Sequence, residues 1–126
     1  MSAPSEGSIR AMVLGASDNK SRYAYTAVQR LVKHGHFPIP LGVRPGTIEG
    51  LEIQLGQPKL DDIHTITLYL NQRHQETHHS YLLSLKPRRI IFNPGAENPI
   101  LREKAEAAGI ETVNGCTLVM LATGTF

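Results

Sequence analysis

The residues best suited to chemistry stand together near the start of the chain, in Gly15-Ala16-Ser17-Asp18-Asn19-Lys20-Ser21-Arg22. Small residues let a backbone approach a ligand closely, and the segment adds hydroxyls, an amide and two cations. An esterified diphosphate is bound by this set: backbone N–H donors at short range with positive charge nearby. The G-x-x-x-x-G-K-[ST] pattern of a Walker loop is absent, as is the complete G-x-G-x-x-G of dinucleotide folds. A second candidate is Gly42-Val43-Arg44-Pro45. Dinucleotide folds usually place an acid there for the ribose hydroxyls, and Arg44 in its place suits a ribose with an extra phosphate. Coenzyme A, with its 3′-phosphate, and NADP, with its 2′-phosphate, both qualify. The plainer alternatives are a strand–helix loop whose glycine only relieves packing and a solvated loop arginine.

Other chemistry-bearing residues form weaker sets. His74, His78 and His79 fall within one expected helix, where an i,i+4 pair can hold zinc, but only Glu76 stands near to complete a site. A solvated helix face is expected instead. His34 and His36 flank a helix end, where a partial positive charge is favourable. Cys116, between Gly115 and Thr117, has no base identifiable in the sequence and reads as a buried or pocket-lining thiol. If it lines the pocket, it can pair with the thiol of coenzyme A as a mixed disulfide when an external oxidant takes up the two electrons. Asp61, Asp62 and Glu97 offer no acid–base pair, and Lys86-Pro87-Arg88-Arg89 reads as solvated surface rather than a nucleic-acid site. No catalytic set and no metal site emerges.

These residues need elements to position them. Ile9–Leu14 is a nearly continuous apolar run, expected as a strand covered on both faces. Ala24, Ala27, Val28, Leu31 and Val32 follow at helical spacing, and Gly35 suits the left-handed cap. Phe37–Leu41, Thr65–Leu70, Arg89–Phe92 and Ile110–Val113 read as further strands, with a minor one at Leu51–Leu55. Pro38 and Pro40 should fall where the second strand needs no donor. Helices are expected at Gln72–Leu85, from Asn98-Pro99 to Gly109 with a stripe of Leu101, Ala105 and Ala108, and at Leu118–Ala122. Alternating strands and helices predict an α/β fold: a three-layer, Rossmann-like, doubly wound parallel sheet of about five strands. Ligands of such sheets sit beyond the carboxyl ends of the strands, where the strand order reverses. That collects the turns Gly15–Arg22, Gly42–Pro45, Leu70–Arg73, Asn93–Asn98 and Asn114–Thr117.

The 126 residues predict one domain over 9–126, after a disordered lead-in over 1–8. A net charge of +2 is too mild to indicate nucleic acid, and no apolar run approaches the ~20 residues that span a bilayer. One cysteine and no secretory signal point to the cytoplasm.

The segment VLGASDNKSRYAY resembles the small, single-domain CoA-binding proteins, which share a fold with the CoA-binding domain of the succinyl-CoA synthetase alpha subunit. Their strand is followed by G-A-S-x-N-x-x-R-x-x-Y, matched here by Gly15, Ala16, Ser17, Asn19, Arg22 and Tyr25. The likeness covers nearly all the chain from Ile9 onward. HGHFPIPL resembles the family's helix end, glycine and strand with I-P; Gly50, Gly95, Asn98 and Cys116 match later positions. The resemblance implies coenzyme A or an acyl-CoA as ligand, its pyrophosphate cradled by Gly15–Ser17 and the helix start. Lys20 and Arg22 would supply charge, Asn19 and Tyr25 position the turn, and Arg44 meet the 3′-phosphate, with Gly42, Leu70, Asn71, Gly95, Asn98 and Cys116 completing the pocket. The chain departs from the pattern at Leu41-Gly42-Val43, where V-N-P is common. It departs again at Thr67 and Leu70-Asn71-Gln72, where an acid and then R-R-P are common. No second domain like the synthetase's is present, so ligase activity is not implied. A non-catalytic binding module follows, with a homodimer or a further protein partner left open. An NADP-dependent reductase is the alternative, though no Tyr-x-x-x-Lys is present; a degenerate Rossmann protein serving only as an interaction partner is the third reading.

Overall fold

The structure, a computed structural model, describes residues 7–126. Residues 1–6 of the expected lead-in lie outside the described residues, and Ser8 is tied to the fold through its hydroxyl, which donates to Gly35 O at 2.8 Å. The elements run β1 (Arg10–Leu14), α1 (Tyr23–Lys33), β2 (Phe37–Leu41), β3 (Thr47–Ile48), β4 (Leu51–Glu52), β5 (Thr65–Leu68) and α2 (Gln72–Gln75). A 3-10 turn (Glu76–His78) leads into α3 (His79–Ser84), then β6 (Arg89–Phe92), α4 (Pro99–Ala107), β7 (Glu111–Asn114) and α5 (Thr117–Thr123).

Five parallel strands form one sheet in the order β2-β1-β5-β6-β7, as the alternating pattern predicts. Alternation sorts β1 between two cores: Ala11 and Val13 pack with Ala24, Val28 and Leu31 of α1 and Leu121 of α5. Met12 and Leu14 pack on the other face with Leu82 of α3 and Leu101 and Ala105 of α4. Helices on both faces leave no wet side, which is why β1, β5 and β6 carry almost no exposed residue. The strand order turns back between β1 and β5, so the carboxyl ends of those two strands make the switch point.

β2 lies at one edge of the sheet. Phe37 N donates to Ile9 O, and Leu41 O accepts from the turn after β1, so the odd-numbered residues serve β1. Pro38 and Pro40 take the alternate positions, where a missing N–H costs no bond to β1. On that outer side Gln54 N donates to Pro40 O at 2.8 Å, and Gly42 N donates to Gln54 O at 2.9 Å. The minor strand over Leu51–Leu55 resolves into a β3–β4 hairpin turned by Glu49 (φ 52) and Gly50 (φ 75), followed by this single bridge to β2. Two left-handed residues in succession give the turn whose twist matches the flanking strands.

The helix expected over Gln72–Leu85 is broken in three. Gln75 is fully buried, and its side-chain amide N donates to Leu70 O and Ala96 O, both at 2.7 Å. Holding that side chain inward fixes α2, and the 3-10 turn redirects the chain so that Tyr81 and Leu82 face the sheet. Ala108, expected in the stripe of α4, is exposed instead, because α4 ends at Ala107 and Ala108 is already its cap. Among the described residues no helix is long and apolar enough to cross a membrane.

Candidate functional site

The chain leaves β1 at Gly15 with φ +96. A Cβ there would lie 3.1 Å from Leu70 Cδ2 and 3.2 Å from the Tyr69 carbonyl carbon, so glycine serves both the backbone angle and the close approach. The N–H groups of Gly15 and Ala16 both donate to Leu41 O, at 2.9 and 3.0 Å. Two amides of the expected Gly15–Ser17 cradle are therefore already engaged, because β2 extends far enough to take them. The unengaged donors lie further along. Among the described residues the N–H groups of Ser17 and Asp18 have no partner, nor do those of Tyr23 and Ala24 at the start of α1. Arg22 stands at the N-cap of α1 and makes no side-chain cap bond. A helix start left without a cap keeps its orphan donors and its positive dipole end for another acceptor.

Asn19 shapes this turn. Its N–H donates to Ser17 Oγ at 3.1 Å, and its Oδ1 accepts from Ser21 N at 3.0 Å and Ser21 Oγ at 2.7 Å. Lys20 and Arg22 are exposed and make no ion pair among the described residues, and Tyr25 is half-buried against the α1 side of the core. The turn after β2 interlocks with it. A Cβ on Gly42 would collide with Ala16 O, and one on Gly46 would come within 2.7 Å of Asp18 Oδ2. Arg44 sits between those glycines, exposed, on the same edge as the first turn.

The other turns are built differently. Leu70 packs into the α3 side of the core and over Gly15, and Asn71 caps α2 by accepting from His74 N at 3.0 Å. Asn98 is 2% exposed, with every polar side-chain atom engaged. Its Nδ2 reaches Gln75 Oε1 at 2.9 Å and His79 Nε2 at 3.2 Å, and its Oδ1 accepts from Leu101 N at 3.1 Å to cap α4. Gly95 N donates to Glu97 Oε1 within the same loop. These positions are brought near the switch edge, but as braces of the loops.

Sequence reasoning missed a buried polar junction beneath the edge. Asn93 Nδ2 donates to Thr67 Oγ1 at 2.7 Å and Leu68 O at 2.9 Å, while its Oδ1 accepts from Thr117 N at 2.8 Å. Thr67 and Thr117 hydroxyls meet at 2.7 Å. One asparagine thus joins β5, β6 and the first amide of α5; the available signal was Thr65 and Thr67, two threonines on one face of a buried strand. The Tyr69 hydroxyl is buried beside these threonines without a hydrogen bond of good geometry, and burial pushes its pKa up to about 12, with Cys116 adding in the same direction against the two hydroxyls. Cys116, half-buried at the N-cap of α5, is therefore brought toward the end of β5 although β7 lies at the sheet's far edge.

The histidines of α2 and α3 do not converge: among the described residues no three His, Cys, Asp or Glu side chains are placed to hold a metal. A concavity of about 460 Å³ lies among Leu83, Lys86, Pro87, Arg88, Ala108 and Ile110. It borders the amino end of β6 and the close of α4, at the opposite end of the sheet from the switch point.

With that geometry in place, the sequence matches the family described as CoA binding domain over residues 10–122. The chain belongs to that family. The family carries coenzyme A as its general ligand class, and the fold agrees. The crystal structure of an uncharacterized protein superposes with a TM-score of 0.93 at 47% identity, covering 94% of this chain and 98% of that one. The structure of cell-free ID.343 from Thermus thermophilus gives a TM-score of 0.83 at 20% identity over 94% and 91% of the two chains. A hypothetical protein from Pyrococcus horikoshii OT3 gives 0.81 at 19% identity over 90% and 81%. The last two show the fold alone. No curated protein matches the chain.

Proposed function

We propose that this CoA-binding domain holds coenzyme A, free or acylated, at the β1–β5 switch point without itself catalysing a reaction. The observation that carries the reading is the set of unengaged donors there: the N–H groups of Ser17 and Asp18, and of Tyr23 and Ala24 at the uncapped start of α1. A pyrophosphate is the acceptor such a corner suits, since it satisfies orphan helix-start donors and meets the dipole with negative charge. Gly15 and Ala16 serve by geometry rather than by donation, their amides being held by Leu41. Lys20 and Arg22 supply the nearby positive charge, Asn19 and Tyr25 fix the turn, and Arg44 meets the 3′-phosphate from the interlocked second turn. Gly42 lets that turn approach, while Leu70, Asn71, Gly95 and Asn98 hold the rim in shape. Cys116 faces the ligand from the start of α5. No acid–base pair stands among these residues, which supports a carrier or presenting role.

Isothermal titration of the protein with coenzyme A, dephospho-CoA and NADPH tests the reading. Binding of coenzyme A, weakened on removal of its 3′-phosphate, is expected. Absence of heat with coenzyme A defeats it, and NADPH binding with oxidation of a small substrate would put a reductase in its place.

A further inference from the structure

The amino ends of the strands carry an arrangement that ligand binding at the opposite edge leaves unused. Arg89, part of a basic run expected at the surface, is only 9% exposed. Its Nε donates to Thr65 Oγ1 at 3.1 Å, and its Nη2 is buried with no partner among the described residues. The guanidinium carbon lies 4.7 Å from the centre of the Phe126 ring. That ring also meets His36, with centroids 5.1 Å apart and planes at 55°. Phe126 is delivered there by left-handed Gly124, after which the N–H groups of Thr125 and Phe126 turn back to Met120 O.

His36 in turn holds the start of β1: its Nδ1 accepts the N–H of Ile9 at 3.0 Å. An amide N–H only donates, so this bond requires an unprotonated Nδ1 and hence a neutral imidazole. His64 stands in a related position, its Nδ1 2.8 Å from Thr65 Oγ1, the hydroxyl that already accepts from Arg89. That hydroxyl keeps a second lone pair and its own hydrogen, so His64 can either donate to it or accept from it.

We propose that His36 is a proton-operated latch that seats the end of α5 on the sheet. With Nδ1 free it grips Ile9 and offers Phe126 an uncharged ring beside Arg89. Protonated, it loses the Ile9 bond and becomes a second cation next to a guanidinium that is itself short of partners. Among the described residues the groups acting on it all oppose its charge: burial disfavours the charged form first, and His34 and Arg89 add to this. His64 feels burial, then Arg89 and Arg88, with Glu111 the one group acting the other way. Since the seated state prefers the neutral His36 ring, the latch is at full strength above the ordinary histidine value of 6.5 and weakens as pH falls below it. The other end of α5 is pinned by Asn93 at the switch edge, so release at Phe126 slackens the helix that carries Cys116.

Hydrogen–deuterium exchange of the full chain at about pH 7.5 and about pH 5.5, corrected for intrinsic rates, tests the latch. The Thr125 and Phe126 amides are expected to exchange about tenfold faster at the lower pH, while β5 and β6 amides keep their protection. His36→Asn retains an acceptor near the Nδ1 position but cannot titrate, and is expected to abolish the difference. Phe126→Ala is expected to give fast exchange at both pH values. Equal protection at the two pH values, acceleration that persists in His36→Asn, or equal loss throughout the sheet overturns the proposal. Should His36→Asn fail to fold, an NMR titration of the wild-type His36 ring decides: an apparent pKa at or above the ordinary value overturns it.

Discussion

Two turns at the same edge of the sheet are made of similar residues and are used in opposite ways. The turn after β6 is Asn93–Asn98, and its two asparagines direct their side chains inward, Asn93 onto β5 and α5, Asn98 onto Gln75, His79 and α4. The turn after β1 contains one asparagine, Asn19, whose bonds stay within the turn and leave neighbouring backbone donors facing outward. A loop that engages its own polar groups is scaffold, and a loop that leaves donors idle next to cations keeps them for the ligand proposed above. Residue type does not separate the two; the direction of the bonds does.

The comparison is broken most easily at Asn93. Asn93→Ala strands the Thr117 N–H and the Leu68 carbonyl in the interior and is expected to cost about 3 kcal/mol in urea unfolding. A loss below about 1 kcal/mol would mean the junction is idle. Gly15→Ala is expected next, at about 2 kcal/mol, because φ +96 and the contact with Leu70 both oppose a side chain. At the proposed ligand site the signs reverse. Lys20→Ala combined with Arg22→Ala should weaken coenzyme A about tenfold in calorimetry while moving stability by less than about 0.5 kcal/mol. Asn98→Ala should act mainly on stability, lowering the unfolding free energy by about 1 kcal/mol through the lost cap, with the smaller effect on affinity that a residue shaping the rim carries. Arg44→Ala is the smallest effect: a loss of about threefold in the preference for coenzyme A over dephospho-CoA. Equal losses with both ligands would remove Arg44 from the 3′-phosphate.

Much of the scaffold was legible because local signals agreed with burial. FPIPL marked its own strand and the prolines marked its outer side, and Asn98-Pro99 gave the start of α4 through a cap and a proline. The apolar period of α1 was equally plain, although Val32 at its end is 39% exposed. What could not be read depended on partners distant in sequence. Gln75 looked like one polar residue in a polar helix start, and only Leu70, Ala96 and Asn98 converging on it explain the break that follows. His36 was expected to welcome a charge at a helix end, yet burial, His34 and Arg89 disfavour its charged form, and the bond from Ile9 N needs an unprotonated Nδ1. In the candidate site the small residues were visible, but not that Leu41 would claim the amides of Gly15 and Ala16.

The prolines of β2 have a consequence beyond the pairing with β1. A sheet margin normally offers a ladder of hydrogen donors onto which a foreign segment can add, the first step toward fibrous association. Here that margin lacks two donors outright, and Gln54 occupies the Pro40 carbonyl. Growth of the sheet by recruitment is thereby blocked on this flank and left to β7, which opens with the exposed negative charge of Glu111.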